Sequence, residues 1–95
     1  MYRQETIQLH KIARAPGFRM VLTPHAEKRT KERDIARFEL ERILKAAPVV
    51  MIETDPDGTE RWRVAGRGAD GHRLEVVIEP EPPDLMVVVT VIRIG

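Results

Sequence analysis

The sequence predicts an α+β fold in which a short N-terminal strand and two consecutive helices precede a four-strand antiparallel sheet. Three observations carry this. A short apolar run, Phe18 to Leu22, sits between Pro16-Gly17 and Thr23-Pro24, as expected of a strand that ends at a helix start. Residues 24 to 47 then have helical character, first polar and then with apolar residues near i, i+3, i+4 spacing. From Val49 onward the chain reads as strand-length runs separated by turn signals.

Taken in order, Thr23 is placed as an N-cap and Pro24 as the first helical residue, where a missing N–H costs nothing. A helix of about ten residues follows. Between Pro24 and Arg33 the one ordinary apolar residue is Ala26, so this helix lacks a hydrophobic stripe and is expected to be largely exposed. Ile35, Phe38, Leu40, Ile43, Leu44 and Ala47 give the next helix one buried face, and Pro48 closes it. Val49 to Ile52 is a strand. Asp55-Pro56-Asp57-Gly58 turns the chain into the alternating Arg61-Trp62-Arg63-Val64.

Trp62 is in phase with Val64, which directs both to the core against Phe38 and Leu44 of the second helix. A second turn at Ala69-Asp70-Gly71 leads into Leu74 to Ile78. The expected register sets Arg63 opposite Glu75, Trp62 opposite Val76 and Val64 opposite Leu74, so that an opposite-charge pair braces the ladder. The acidic, Pro-rich stretch Glu79 to Asp84 reads as a loop, since Pro gives no ladder donor. Met86 to Ile92 is apolar on both faces, as in a central strand. Residues 1–15 form an N-terminal extension without assignment, and residues 16–95 a single domain.

Ninety-five residues suffice for one core and not for two. Cysteine is absent, which excludes disulfides and thiolate metal sites and fits a reducing compartment, with the cytoplasm as the expectation. Charges interrupt Met1 to Arg14, so that stretch does not read as a secretory h-region. No run approaches the roughly 20 apolar residues that cross a bilayer. Serine is absent too, which excludes serine hydrolase chemistry. Phosphate-loop and dinucleotide fingerprints do not occur.

Net charge is only +1, yet residues 1–45 hold 11 Lys and Arg against 6 Asp and Glu, and residues 46–95 hold 5 against 9. A basic half precedes an acidic one. Of the 16 basic residues 12 are Arg, the side chain whose planar fork suits phosphate and carboxylate, although GC-rich coding gives the same bias.

His25, Arg29 and Arg33 are spaced by four, so on a helix they share one side, flanked by Lys28. Such a row near a helix N-terminus can hold phosphate. It can equally be a solvated face, with Glu27 and Glu32 supplying i,i+4 partners. His25 and His72 are the candidates for proton transfer near neutrality. His72 lies beside a turn, where an exposed spectator is the ordinary outcome, and His10 carries no readable signal. The histidines are too dispersed for a metal site, and no cofactor is implied. Arg61 and Arg63 face away from Trp62, either toward a substrate or toward cross-strand partners. Thr90 is the one polar residue of the last strand.

The runs Leu22 to Arg29, Glu32 to Ile35, Arg61 to Arg67, Asp70 to Val77 and Val89 to Ile92 resemble a bacterial family labelled domain of unknown function 4258. The resemblance spans about residues 18–93, and its most specific part is the string His-Ala-x-x-Arg-x-x-x-Arg-x-Ile. The family is similar to small toxin ribonucleases with the RelE and barnase type of fold. The resemblance therefore implies metal-independent RNA cleavage, with RNA as substrate and an antitoxin chain as partner. By position it gives His25, Arg29 and Thr90 catalytic roles, and gives Arg33, Arg61, Arg63, Arg67 and Arg73 contacts to RNA phosphate. The alternative is a non-catalytic module on the same fold that binds RNA or protein. Oligomeric state is not legible.

Overall fold

The computed structural model describes residues 2–94. The first element is a helix, α1 (Arg3–Ala13), followed by β1 (Arg19–Leu22), α2 (Pro24–Glu32), α3 (Arg37–Ala46), β2 (Val49–Thr54), β3 (Glu60–Arg67), β4 (Arg73–Glu81) and β5 (Leu85–Ile94). The strands form one sheet in the order β1-β5-β4-β3-β2. This corrects the expected fold class in two respects: the chain starts with a helix, and the sheet is mixed with five strands.

The extra strand is the apolar run before Thr23. It lies parallel to β5, with Met20 opposite Met86 and Leu22 opposite Val88. A parallel pair needs a long crossover, and α2, α3 and the other strands supply it, so local sequence holds no sign of the partner. The outer edge of β1 is partly filled by Arg37, whose guanidinium donates to the Met20 carbonyl. Blunting an exposed edge in this way protects it from a further strand.

One core joins all three helices to one face of the sheet, through Leu9 and Ile12 of α1, Ala26 of α2, Leu40, Ile43 and Leu44 of α3, and Trp62, Val64, Val76, Ile78, Met86 and Val88 of the strands. Trp62 is 4% exposed, in keeping with its phase. Phe38, expected beside it, is instead 62% exposed at the start of α3. The buried stripe of that helix runs through Leu40, Ile43 and Leu44, with Glu39 in place of Phe38.

The polar helix α2 begins as its sequence predicts. Thr23 Oγ1 accepts from the Ala26 amide at 3.1 Å and donates to the Val89 carbonyl at 2.8 Å, which ties the cap to β5. The buried residues of α2 are Ala26 and Thr30, both small. The helix is held by close approach to the core, and its remaining positions face water.

Alternation sends Arg61, Arg63, Glu75 and Glu79 to the opposite face of the sheet. The β3–β4 register differs from expectation by two residues: Trp62 pairs with Ile78, Arg63 with Val77 and Val64 with Val76. A shift of two keeps every side chain on its face. The Pro-rich stretch also differs, since β4 runs through Pro80, which pairs with Met86 at the end of the strand.

Candidate functional site

The expected site residues lie in four separate places. His25 is exposed in the first turn of α2, while Arg29 forms an ion pair with Glu32 at 3.5 Å on the same helix. Arg61, Arg63 and Thr90 project from the sheet face that the helices leave open. The two arginines are already engaged there. Arg61 Nε donates to Glu79 Oε1 at 2.9 Å and its Nη2 lies 3.3 Å from Asp55 Oδ2. Arg63 Nε donates to Glu53 Oε1 at 2.6 Å and its Nη1 lies 3.4 Å from Glu75 Oε1. Their pKa values are raised, chiefly by the hydrogen bonds to Glu79 and Glu53. An incoming phosphate would have to displace carboxylates from both. Thr90 sits opposite Val77 on the same face.

Arg67 and Arg73 face each other at the end of the β3–β4 hairpin, where Arg67 Nη1 turns away to donate to the Gly71 carbonyl at 2.9 Å. Like charges opposite one another are tolerated there because both side chains are exposed.

Arg33 lines a pocket together with His72, the other proton-transfer candidate besides His25. It closes the C-terminal end of α2, and its amide donates to the Arg29 carbonyl at 3.1 Å. Asp34 follows with φ of 53° and Ile35 returns an amide hydrogen bond to the Thr30 carbonyl at 2.9 Å, so the helix ends on a left-handed residue. This turn forms one wall of a pocket of about 250 Å³. The opposite wall is the β3–β4 turn with Asp70 and His72, and Arg93 of β5 and Leu74 of β4 complete it.

Glu39 joins the two walls. It is 6% exposed, and its Oε2 accepts from the Ala36 amide at 2.7 Å while its Oε1 accepts from the Ala69 amide at 2.6 Å. The first bond satisfies an orphan donor at the start of α3, where Ala36 offers no capping side chain. The second fixes the turn that carries Asp70 and His72.

Asp70 Oδ1 accepts from the His72 amide at 3.0 Å, and its Oδ2 lies 2.8 Å from His72 Nδ1 and 3.8 Å from Arg93 Nη2. Its pKa is lowered, first by the His72 amide, then by the imidazole and the Arg93 charge. Despite the approach of Asp70, His72 Nδ1 is buried without a hydrogen bond among the described residues. Arg33 Nη1 is buried without a hydrogen-bond partner among the described residues. A buried guanidinium nitrogen in that condition is costly unless an acceptor reaches it. Helical spacing puts Arg33 on the exposed row of α2, and the sequence offers His72 as a proton-transfer candidate whose place beside a turn favours an exposed spectator. The spacing Asp70-x-His72 is the local signal for this pair, and only the fold joins it to Arg33 and Arg93.

Among the described residues no group of three or more His, Asp or Glu is arranged to hold a metal ion, and no helix is long and apolar enough to cross a membrane. A family model described as a domain of unknown function, DUF4258, matches residues 22–93. The chain belongs to the DUF4258 family. The match takes in α2, α3 and both walls of the pocket, and α1 lies before it. No curated protein and no solved structure matches this DUF4258 chain.

Proposed function

We propose that this DUF4258 domain is a small endoribonuclease, and that the pocket between the α2–α3 corner and the β3–β4 turn holds the scissile phosphate. The observation that carries the reading is the buried, unpartnered Arg33 nitrogen in a pocket that also contains Arg93 and the Asp70–His72 pair. Two guanidinium groups match a phosphodiester, and the crowded phosphorane that forms during cleavage carries more charge on its oxygens than the ground state does. His72 Nε2 takes the proton from the ribose 2′-hydroxyl as that oxygen attacks phosphorus. The bond to the 5′-oxygen breaks, and the imidazolium returns the proton to that leaving oxygen, giving a 2′,3′-cyclic phosphate and a free 5′-hydroxyl. Asp70 stands 2.8 Å from Nδ1, on the side of the ring away from Nε2.

The helical row of His25 and Arg29 leads along α2 toward Arg33 and supplies a track for the adjacent RNA backbone. In this reading His25 is the second candidate for proton transfer. The domain, with EDTA present, is incubated with total RNA beside His72→Ala and His25→Ala. The reading expects His72→Ala to lower turnover at least about 100-fold with little change in binding. His25→Ala is expected to retain most of the rate. A His25→Ala protein that loses cleavage while His72→Ala keeps it would move the chemistry to the helix row. Absence of both cleavage and binding at low salt would leave a protein-binding module as the function.

A further inference from the structure

The three carboxylates of the pocket differ in what they already hold. Both oxygens of Glu39 accept backbone amides, from Ala36 and Ala69. Both oxygens of Asp70 face His72, one toward its amide and the other toward its ring and Arg93. Asp34 forms a hydrogen bond among the described residues only through its own amide, to the Lys31 carbonyl at 3.3 Å. Asp34 is an exposed residue that lines the pocket and stands in the left-handed conformation, φ 53°, where glycine is the ordinary occupant. The pocket lining thus holds a carboxylate without a protein partner among the described residues, Asp34, together with the unpartnered Arg33 Nη1 and with Arg93, whose one ion pair there is the 3.8 Å approach to Asp70. Ile35 and Leu74 add an apolar wall against which a flat ring can lie. At about 250 Å³ the space falls below the roughly 300–1,000 Å³ of ordinary ligand clefts, which limits the occupant to a fragment such as one phosphate with one base.

We infer that the pocket binds a nucleotide whose base carries an exocyclic amino group, with the phosphate on Arg33 and Arg93 and the amino group on Asp34, and that it rejects uracil. Inorganic phosphate alone satisfies the guanidinium groups and leaves the carboxylate unmatched. Adenine, cytosine and guanine each present amino N–H donors, and a carboxylate accepts them directly. Uracil presents two carbonyl oxygens flanking a single N–H, so Asp34 would set acceptor against acceptor. The inference rests on the reading of this pocket as the RNA phosphate site.

CMP and UMP are the decisive pair, because they differ only at the base edge. NMR titration of the full chain with inorganic phosphate, CMP and UMP is expected to show phosphate binding at the Arg33 and Arg93 resonances. CMP is expected to bind about tenfold more tightly than UMP. Asp34→Asn keeps a residue that tolerates the left-handed conformation, and its amide can present either a donor or an acceptor. That variant is expected to bring CMP and UMP within about threefold while phosphate affinity is unchanged. Phosphate binding with equal CMP and UMP affinities overturns the base assignment alone. Discrimination that survives Asp34→Asn overturns the role of Asp34. If none of the three perturbs Arg33 or Arg93, the phosphate site and the base site both fall.

Discussion

Glu39 and Ala69, thirty residues apart in sequence, are joined by a 2.6 Å hydrogen bond from the Ala69 amide to a buried carboxylate oxygen. The same carboxylate holds the first turn of α3 through Ala36. One side chain therefore sets the distance between the helix corner that carries Arg33 and the turn that carries His72. Hydrogen bonds to a charged group are worth about 1.5–3 kcal/mol each, so Glu39→Ala should cost about 3 kcal/mol or more of stability. The diagnostic readout is local. The Ala69 amide should exchange with solvent much faster in the variant, relative to sheet amides such as that of Val76. Unchanged protection at Ala69 would show that the turn is held by its own bonds, such as the Gly68 amide to the His72 carbonyl at 2.9 Å.

At Gly66 the strand β3 lies directly under Ile43 and Ala47 at the C-terminal end of α3. A Cβ at this position would stand 2.9 Å from both Cγ1 and Cγ2 of Ile43. Glycine in a strand interior is ordinarily a weak point, so alanine would stabilise an open position. Here the crowding reverses the sign, and Gly66→Ala should destabilise by about 1–3 kcal/mol, the usual range for overpacking. Urea unfolding measures it. In an Ile43→Ala background, which lacks both clashing Cγ atoms, Gly66→Ala should cost less than it does in wild type.

What was legible in the sequence was local. Thr23 and Pro24 specify the start of α2 by chemistry confined to a few residues, and the cap lies where they place it. The alternation of Trp62 and Val64 gives the buried face for the same reason. Helix α1 escaped because its buried residues are only Leu9, Ile12 and Ala13, and Tyr2 at its N-cap makes no side-chain cap bond. The parallel pairing of β1 with β5 escaped because it joins segments separated by most of the chain. The β3–β4 register departs from the charge-paired one because the charges pair across three strands and not two. Arg63 takes Glu53 from β2 as its closest partner and reaches Glu75 diagonally, which leaves Val77 opposite it. The pocket needed all of these long-range relations at once, so only Arg33 among its residues was singled out for phosphate.

Acid should weaken the turn that carries His72. The Asp70 carboxyl titrates below its ordinary value of 3.8, chiefly because the His72 amide donates to it. A depressed folded-state pKa means that the unfolded chain takes up the proton first. The stabilisation is therefore fully present above the unfolded value and is lost as pH falls through the folded one. Asp57 is lowered in the same sense, mainly by the Thr59 amide. Wild type should accordingly exceed Asp70→Asn in stability near pH 6, and the difference should shrink between about pH 4 and pH 2. Denaturant midpoints for both proteins across that range test this. A difference that grows on acidification would contradict the assigned direction.

Asp34 provides the sharpest separation of stability from function. Its φ of 53° puts a side-chain-bearing residue where the left-handed conformation costs roughly 1–2 kcal/mol, and glycine avoids that cost. The position closes α2 through the Ile35 amide and the Thr30 carbonyl, so the geometry must be kept whichever residue occupies it. Asp34→Gly should therefore raise thermal stability, by an amount near the lower end of that range because glycine also gains entropy in the unfolded chain. If the carboxylate serves no ligand, the gain comes without cost. If it accepts the amino group of a base, the more stable protein should bind CMP and UMP alike while still binding inorganic phosphate. A melting temperature that rises together with loss of discrimination would show strain retained at a binding position. A variant that is more stable and still prefers CMP would assign the strain to helix closure alone.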